Sequence, residues 1–274
     1  MTVRDIAKRL RGSDFRNAVQ AIAALRGMDG TEAASLIPAV DAPDEQRAFQ
    51  LAAARIVAQS GARGLAGCWR ELPGTQWREL FVSEIAQSLA WWSEEDIIEL
   101  VLAALDDTEL VQRRAVAFLQ SFLRPIPEKE RKKTAKTQSG KAGLGAIDRM
   151  AGWMTAARRE RTAAAVTSAL ERHVDAPRGL TWPDRYIELL GLTAAHADAR
   201  ALAVLDRLRP KAGEPRRTEF EKLDPDNLPR ETAMVAERKG VPPGTPFVRV
   251  KSVGTGLLDL ENLERAVAAI KDRR

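Results

Sequence analysis

A single cysteine, Cys68, and two histidines, His173 and His196, are all that 274 residues contain of the softer metal ligands. An internal disulfide is impossible, and a structural zinc site lacks the donors it needs. No metal and no cofactor are expected. No apolar run approaches the roughly 20 residues that a membrane helix requires. The opening MTVRDIAKRLRG carries charge from its fourth residue, where a secretory signal is apolar. A cytoplasmic protein without membrane contact is therefore expected.

Catalytic signatures are also missing. No Gly-x-Ser-x-Gly elbow is present. SGKAGLG has the lysine of a phosphate loop, Lys141, but Ala142 stands where a Ser or Thr must hold magnesium. Gly143-x-Gly145 and Gly254-x-Gly256 lack the third glycine of a dinucleotide turn. Both histidines lie near helix ends, where surface or capping roles suffice for them.

What is there is helix-forming. Ala, Leu and Arg dominate, aromatics are only 5%, and 45% hydrophobic with 30% charged residues is ordinary globular composition. The net charge of +5 is local: residues 124–141 hold seven Lys/Arg and two Glu, and the rest of the chain is balanced.

Three aspartates, Asp41, Asp106 and Asp175, follow apolar residues at intervals of 65 and 69. Halving those intervals gives a unit of about 33–35 residues, in the range of α-solenoid repeats. It also predicts turns near 74, 140 and 209, where Pro73-Gly74, Ser139-Gly140 and Pro210 stand. Between the turns, longer helical patterns (EQRAFQLAAARIVAQSG, WRELFVSEIAQSLAWW, ELVQRRAVAFLQSFL) alternate with shorter ones (EAASLIPAV, ARGLAGCWREL, EEDIIELVLAAL, ERTAAAVTSALERHV, DARALAVLDRL). Breaks fall at Gly27–Gly30, Gly61–Gly64 and Ser93, the last opening a Ser-x-x-acid helix start. An irregular bundle with ordinary Asp caps would share these turns.

ALDDTELVQRRAVAFL resembles one unit of the HEAT and HEAT-like repeats: Leu105 and Asp106 close a first helix, and Val111, Arg113, Ala115 and Leu119 open a second. Gln112 departs from that pattern by separating Val111 from Arg113. The resemblance implies an all-α fold, an α-α superhelix of HEAT-like hairpins over residues 1–210. It further implies a non-enzymatic protein-protein scaffold, with a protein partner on the concave face formed by the second helices. Gln46, Arg47, Gln50, Arg78, Gln112, Arg113 and Arg114, polar residues near the starts of second helices, are the expected contacts.

Residues 124–146 interrupt the array. They offer no apolar face and read as an exposed basic loop, either a solvated linker or a nucleic-acid arm with Lys132, Lys133, Lys136 and Lys141 on phosphates. Residues 211–274 read as a Pro-rich connector, a strand (FVRVKSV) and an amphipathic helix that caps the solenoid.

The six tryptophans sit near turns. HEAT-like repeats also build the alkylpurine DNA glycosylases, so a resemblance at that extreme implies Asp96 stabilising a cationic sugar with Trp91 and Trp92 stacked on DNA. Ser93 as a cap would instead put Trp92 before the helix and make Asp96 a dipole partner.

Overall fold

The structure, a computed structural model, describes residues 1–38, 44–88, 90–175, 183–212, 217–223, 247–253 and 258–273. The protein is helical over almost all of them. The helices are α1 (Val3–Arg11), α2 (Phe15–Leu25), α3 (Gly30–Leu36), α4 (Glu45–Gly67), α5 (Thr75–Gln87), α6 (Glu94–Leu105), α7 (Glu109–Leu123), α8 (Glu128–Thr134), α9 (Gln138–Trp153), α10 (Ala156–Asp175), α11 (Pro183–Leu192), α12 (Ala199–Leu208) and α13 (Leu260–Lys271). Strands β1 (Arg217–Leu223) and β2 (Phe247–Val253) pair antiparallel, Arg217 opposite Val253 and Leu223 opposite Phe247. Asp41, Leu89 and Trp182 lie outside the described residues.

Local chemistry sets the boundaries. Thr2 and Asp5 form a reciprocal capping box at α1, and Asp14, Asp29, Asp44, Ser93, Thr137, Asp198 and Asp259 accept a backbone N–H at the starts of α2, α3, α4, α6, α9, α12 and α13. Gly61, at φ +64° and ψ −166°, is non-helical inside α4, so the break expected there divides α4 into two helical segments joined at a kink with no loop between them. Gly74, at φ +71°, starts α5. Asp106 ends α6, and a 3-10 turn over Arg209–Lys211 ends α12.

Each helix packs mainly on its neighbours in two rows. α4, α6, α10 and α12 follow one another in the first, and α5, α7, α11 and α13 in the second, with α2 against both α4 and α5. α6 is central and touches α4, α5, α7, α9 and α10. Ile97, Ile98 and Leu100 through Leu105 are accordingly all buried, since a helix enclosed on every side needs apolar residues all round. α7 buries one stripe (Val111, Ala115, Phe118, Leu119, Phe122) and turns Arg114 and Ser121 outward.

The tryptophans answer to packing. A chain of ring contacts runs from Phe15 to Phe49 and Trp77, from Phe49 to Phe81, and from Phe81 to Trp69 and Trp92, with centroids 5.4–6.0 Å apart. Such tilted pairs add about 0.5–1.5 kcal/mol each beyond the area they bury. They tie α2, α4 and α5 to the turns around them.

The expectation of a basic loop at 124–146 is corrected. Pro127 precedes a full turn of α8, and Thr137 caps α9 by accepting from the Gly140 N–H at 3.0 Å. Lys, Glu and Arg are good helix formers even without an apolar face. Arg131 then holds α8 to α9 through a two-pronged bond to Asp148, 3.0 and 2.7 Å. α9 lies on α6 and α7 and buries Leu144 and Met150.

Candidate interaction surfaces

The residues expected on a partner-binding face divide between the interior and the surface. Gln50, Arg78 and Gln112 are buried. Arg78 donates to both oxygens of Asp107, from Nε at 2.6 Å and Nη2 at 3.1 Å, and also to the Leu72 carbonyl and Thr75 Oγ1. Trp69 Nε1 and the Thr108 N–H donate to the same carboxylate at 2.8 and 2.6 Å. Four donor groups thus surround Asp107, whose side chain is 2% exposed. Gln112 donates to the Leu105 carbonyl at 2.6 Å and accepts from the Tyr186 hydroxyl at 3.4 Å. Arg47 donates to the Leu10 carbonyl, Gln46 to the Ser13 carbonyl at 2.8 Å, and Gln50 Oε1 accepts from Arg47 at 3.3 Å.

These side chains share one task. In the first turns of α4, α5 and α7, Arg47, Arg78 and Gln112 reach carbonyls left open at the ends of α1, the 3-10 turn Trp69–Glu71 and α6. They hold turns together, and the assignment of Gln50, Arg78 and Gln112 to a docking face is corrected on that ground. Arg114 reaches outward while Arg113 and Gln46 are half-buried, and Glu79 sits 3.8 Å from Arg113 and 2.7 Å from Arg114.

The Trp92–Asp96 pair is corrected as well. Trp92 is 3% exposed and packs edge-on against Phe81, so it offers no stacking surface. Asp96 lies in the first turn of α6, accepts from the Ser93 hydroxyl at 2.5 Å and pairs with Arg26. Its neighbours Glu94 and Glu95 are also engaged: Arg149 reaches Glu94 at 2.6 Å, and Arg63 reaches Glu95 at 2.9 Å. The bond from Arg149 holds the Glu94 carboxyl below the usual carboxylate range. Arg158 bridges Glu95 and Glu99. This acidic helix start is a clasp for α4, α9 and α10.

The second row carries its own ladder. Arg16 of α2 meets Glu84 of α5 at 2.8 Å, Arg114 of α7 meets Glu79 of α5, and Arg124 binds Glu188 of α11 through two bonds of 2.7 Å. Two depressions of about 500 and 360 Å³ meet at Arg124, Pro125 and Glu188. Small residues line them: Ala117 and Ser121 on α7, Gly191 on α11, Ala266 and Ala269 on α13. Sequence reasoning missed this groove. Its one sequence signal is the cluster of small residues on the outward stripe of helices whose other faces are apolar.

A second groove, between the end of α4, α6 and α10, comprises hollows of about 510 and 730 Å³ that share Arg70, Asp106 and Arg161. Arg161 bonds Asp106 across it at 3.0 Å. Lys132, Lys133, Lys136 and Lys141 are exposed around the α8–α9 corner.

Among the described residues no group of His, Cys, Asp and Glu is placed to hold a metal, and no helix is long and apolar enough to cross a membrane. His173 is buried on α10, and His196 sits in a 3-10 turn. No family model, no curated protein and no solved structure matches the chain.

Proposed function

We propose that this protein is a cytoplasmic, non-enzymatic scaffold: an α-α superhelix of HEAT-like hairpins, closed at its C-terminal end by the strand-helix extension, that binds a protein partner along its second helices. One observation carries the reading. Side-chain bonds between consecutive hairpins recur at nearly one spacing: Gln76–Glu45 at 31 residues, Gln46–Ser13 at 33, Arg114–Glu79 at 35 and Arg47–Leu10 at 37. A stack of similar units supports such a spacing, and the bonds Arg16–Glu84 at 68 residues and Arg124–Glu188 at 64 lie near twice that interval.

The groove over α7, α11 and α13 is where a partner segment fits. Its floor of Ala, Ser and Gly lets a second backbone approach closely. The Arg124–Glu188 pair at its rim supplies donors and acceptors in fixed geometry. The seating of α13 on α11 and α12, with Leu263, Val267 and Ile270 buried, supports the capping role.

The test is affinity capture from native lysate, with wild type beside Ser121→Trp and Ala269→Trp, which fill the groove from opposite sides. A partner retained by the wild type and lost from both variants, with helical circular dichroism unchanged, is expected. Capture that is indifferent to both substitutions discards the groove as the binding site.

A further inference from the structure

We infer that the α8–α9 corner binds the phosphate backbone of double-stranded nucleic acid, without regard to base sequence. The fold itself leaves these charges free. Arg131 is spent on Asp148, and Lys132 lies 3.4 Å from Glu128 on its own helix. Lys129, Lys133, Lys136 and Lys141 make no ion pair among the described residues. This contrasts with Arg63, Arg114, Arg158 and Arg200, each of which bonds a carboxylate on a neighbouring helix.

Their placement is directional. At 100° per residue, Lys129, Lys132 and Lys133 fall within an arc of about 100° on α8, and Arg131 points to the opposite side, towards α9. Lys136 follows in the turn and Lys141 in the first turn of α9, on the stripe that also carries Asp148, so lysines flank the corner from both helices. The N-terminal dipole of α9, a 16-residue helix, adds positive potential at the same place. Gly143, beside Lys141, is exposed, and a Cβ there would meet nothing within 4 Å.

The chemistry selects the partner. Protein interfaces are poor in lysine and depend on buried apolar or aromatic anchors, and α8 has no buried residue and no apolar side chain larger than alanine. An anionic membrane needs an apolar edge to insert, and the exposed large apolar residues among the described ones, Met1, Val3, Leu110, Trp153 and Leu260, all lie outside 124–146. A single strand needs aromatic stacking, and among the described residues the exposed ring, Trp153, is twelve residues along α9, about 18 Å from Lys141. Lysine point charges without forked donors contact phosphate and read no bases.

Fluorescence anisotropy of the full chain with a labelled 20-base-pair duplex tests this. Binding is expected to weaken by about two orders of magnitude between 50 and 200 mM salt, as four phosphate contacts require. Two duplexes of unrelated sequence should bind within about twofold, and the matching single strand more weakly. Replacing Lys129, Lys133, Lys136 and Lys141 by Ala together should abolish the salt-dependent component, and replacing them by Arg should preserve it. Circular dichroism checks that both variants stay folded. The proposal is overturned by an absence of duplex binding at 50 mM salt, by single strands binding as tightly, by an Ala variant that binds like wild type, or by vesicles with one-third anionic lipid displacing the duplex.

Discussion

Arg78 and Asp107 face each other across the junction of α5 and the α6–α7 turn, joined by two bonds of 2.6 and 3.1 Å with both side chains at least nine-tenths buried. The pair ties one hairpin to the next, and Trp69 adds its indole N–H to the same carboxylate. Asp107→Ala strands a buried guanidinium and is expected to cost about 3–5 kcal/mol in urea unfolding, whereas replacing both partners by apolar residues of similar size should cost much less. An equal loss in the single and double variants would show that packing, not the ion pair, holds this junction.

Phe81 is the node of the aromatic chain, in contact with Phe49, Trp69 and Trp92. Phe81→Ala should destabilise the fold by about 3–5 kcal/mol and collapse the near-ultraviolet dichroism of the tryptophans. Trp153, 39% exposed at the end of α9, should give a fluorescence contribution quenched by iodide, and the buried tryptophans should not.

Two glycines of α9 behave oppositely. A Cβ on Gly140 would stand 1.9 Å from the Thr134 carbonyl oxygen, and one on Gly143 would meet nothing within 4 Å. Gly140→Ala should therefore detach α8, seen as faster hydrogen exchange of its amides with the global midpoint little changed. Gly143→Ala should stabilise α9 by up to about 1 kcal/mol.

Most helix boundaries were legible because they rest on local chemistry. Ser93 opens α6 and the Asp106 turn closes it, both within a few residues of the signal. The polar residues in the first turns of α4, α5 and α7 misled for the opposite reason. Arg78 and Gln112 look like surface by type, and only the nearness of Leu72, Leu105 and Asp107 in space makes them interior. β1 went unread because RTEFEKL is mostly polar and its pairing partner lies about 30 residues on. α8 and α9 read as loop because their stability owes more to propensity, a cap and the Arg131–Asp148 bond than to apolar periodicity. The groove on α7, α11 and α13 joins residues up to about 150 positions apart, beyond any local pattern.

The clasp at the start of α6 is sensitive to acid. Arg149 lowers the folded-state pKa of Glu94, so the bond contributes fully above the unfolded carboxyl value near 4.5 and is lost as pH falls through the lower folded value. Titration by NMR should show the Glu94 carboxyl midpoint rising in Arg149→Met. That variant should also lose the part of the acid dependence of α9 protection that Glu94 supplies. A midpoint that does not move would mean that the bond is not populated in solution.

Gly61 gives the chain an uneven tolerance for change in length. Here the two segments of α4 meet at a kink without a connecting loop, so the chain passes from one to the next with no slack. One residue added near Gly61 would turn the following segment by about 100° relative to Trp69 and its bond to Asp107. Additions to a surface loop cost only a slow logarithmic increase in closure entropy. Insertions should therefore be purged around residue 61 and accepted more readily at the exposed Arg26–Gly27 turn between α2 and α3, so that variation in length among natural versions of this chain would mark which joints transmit register and which absorb it.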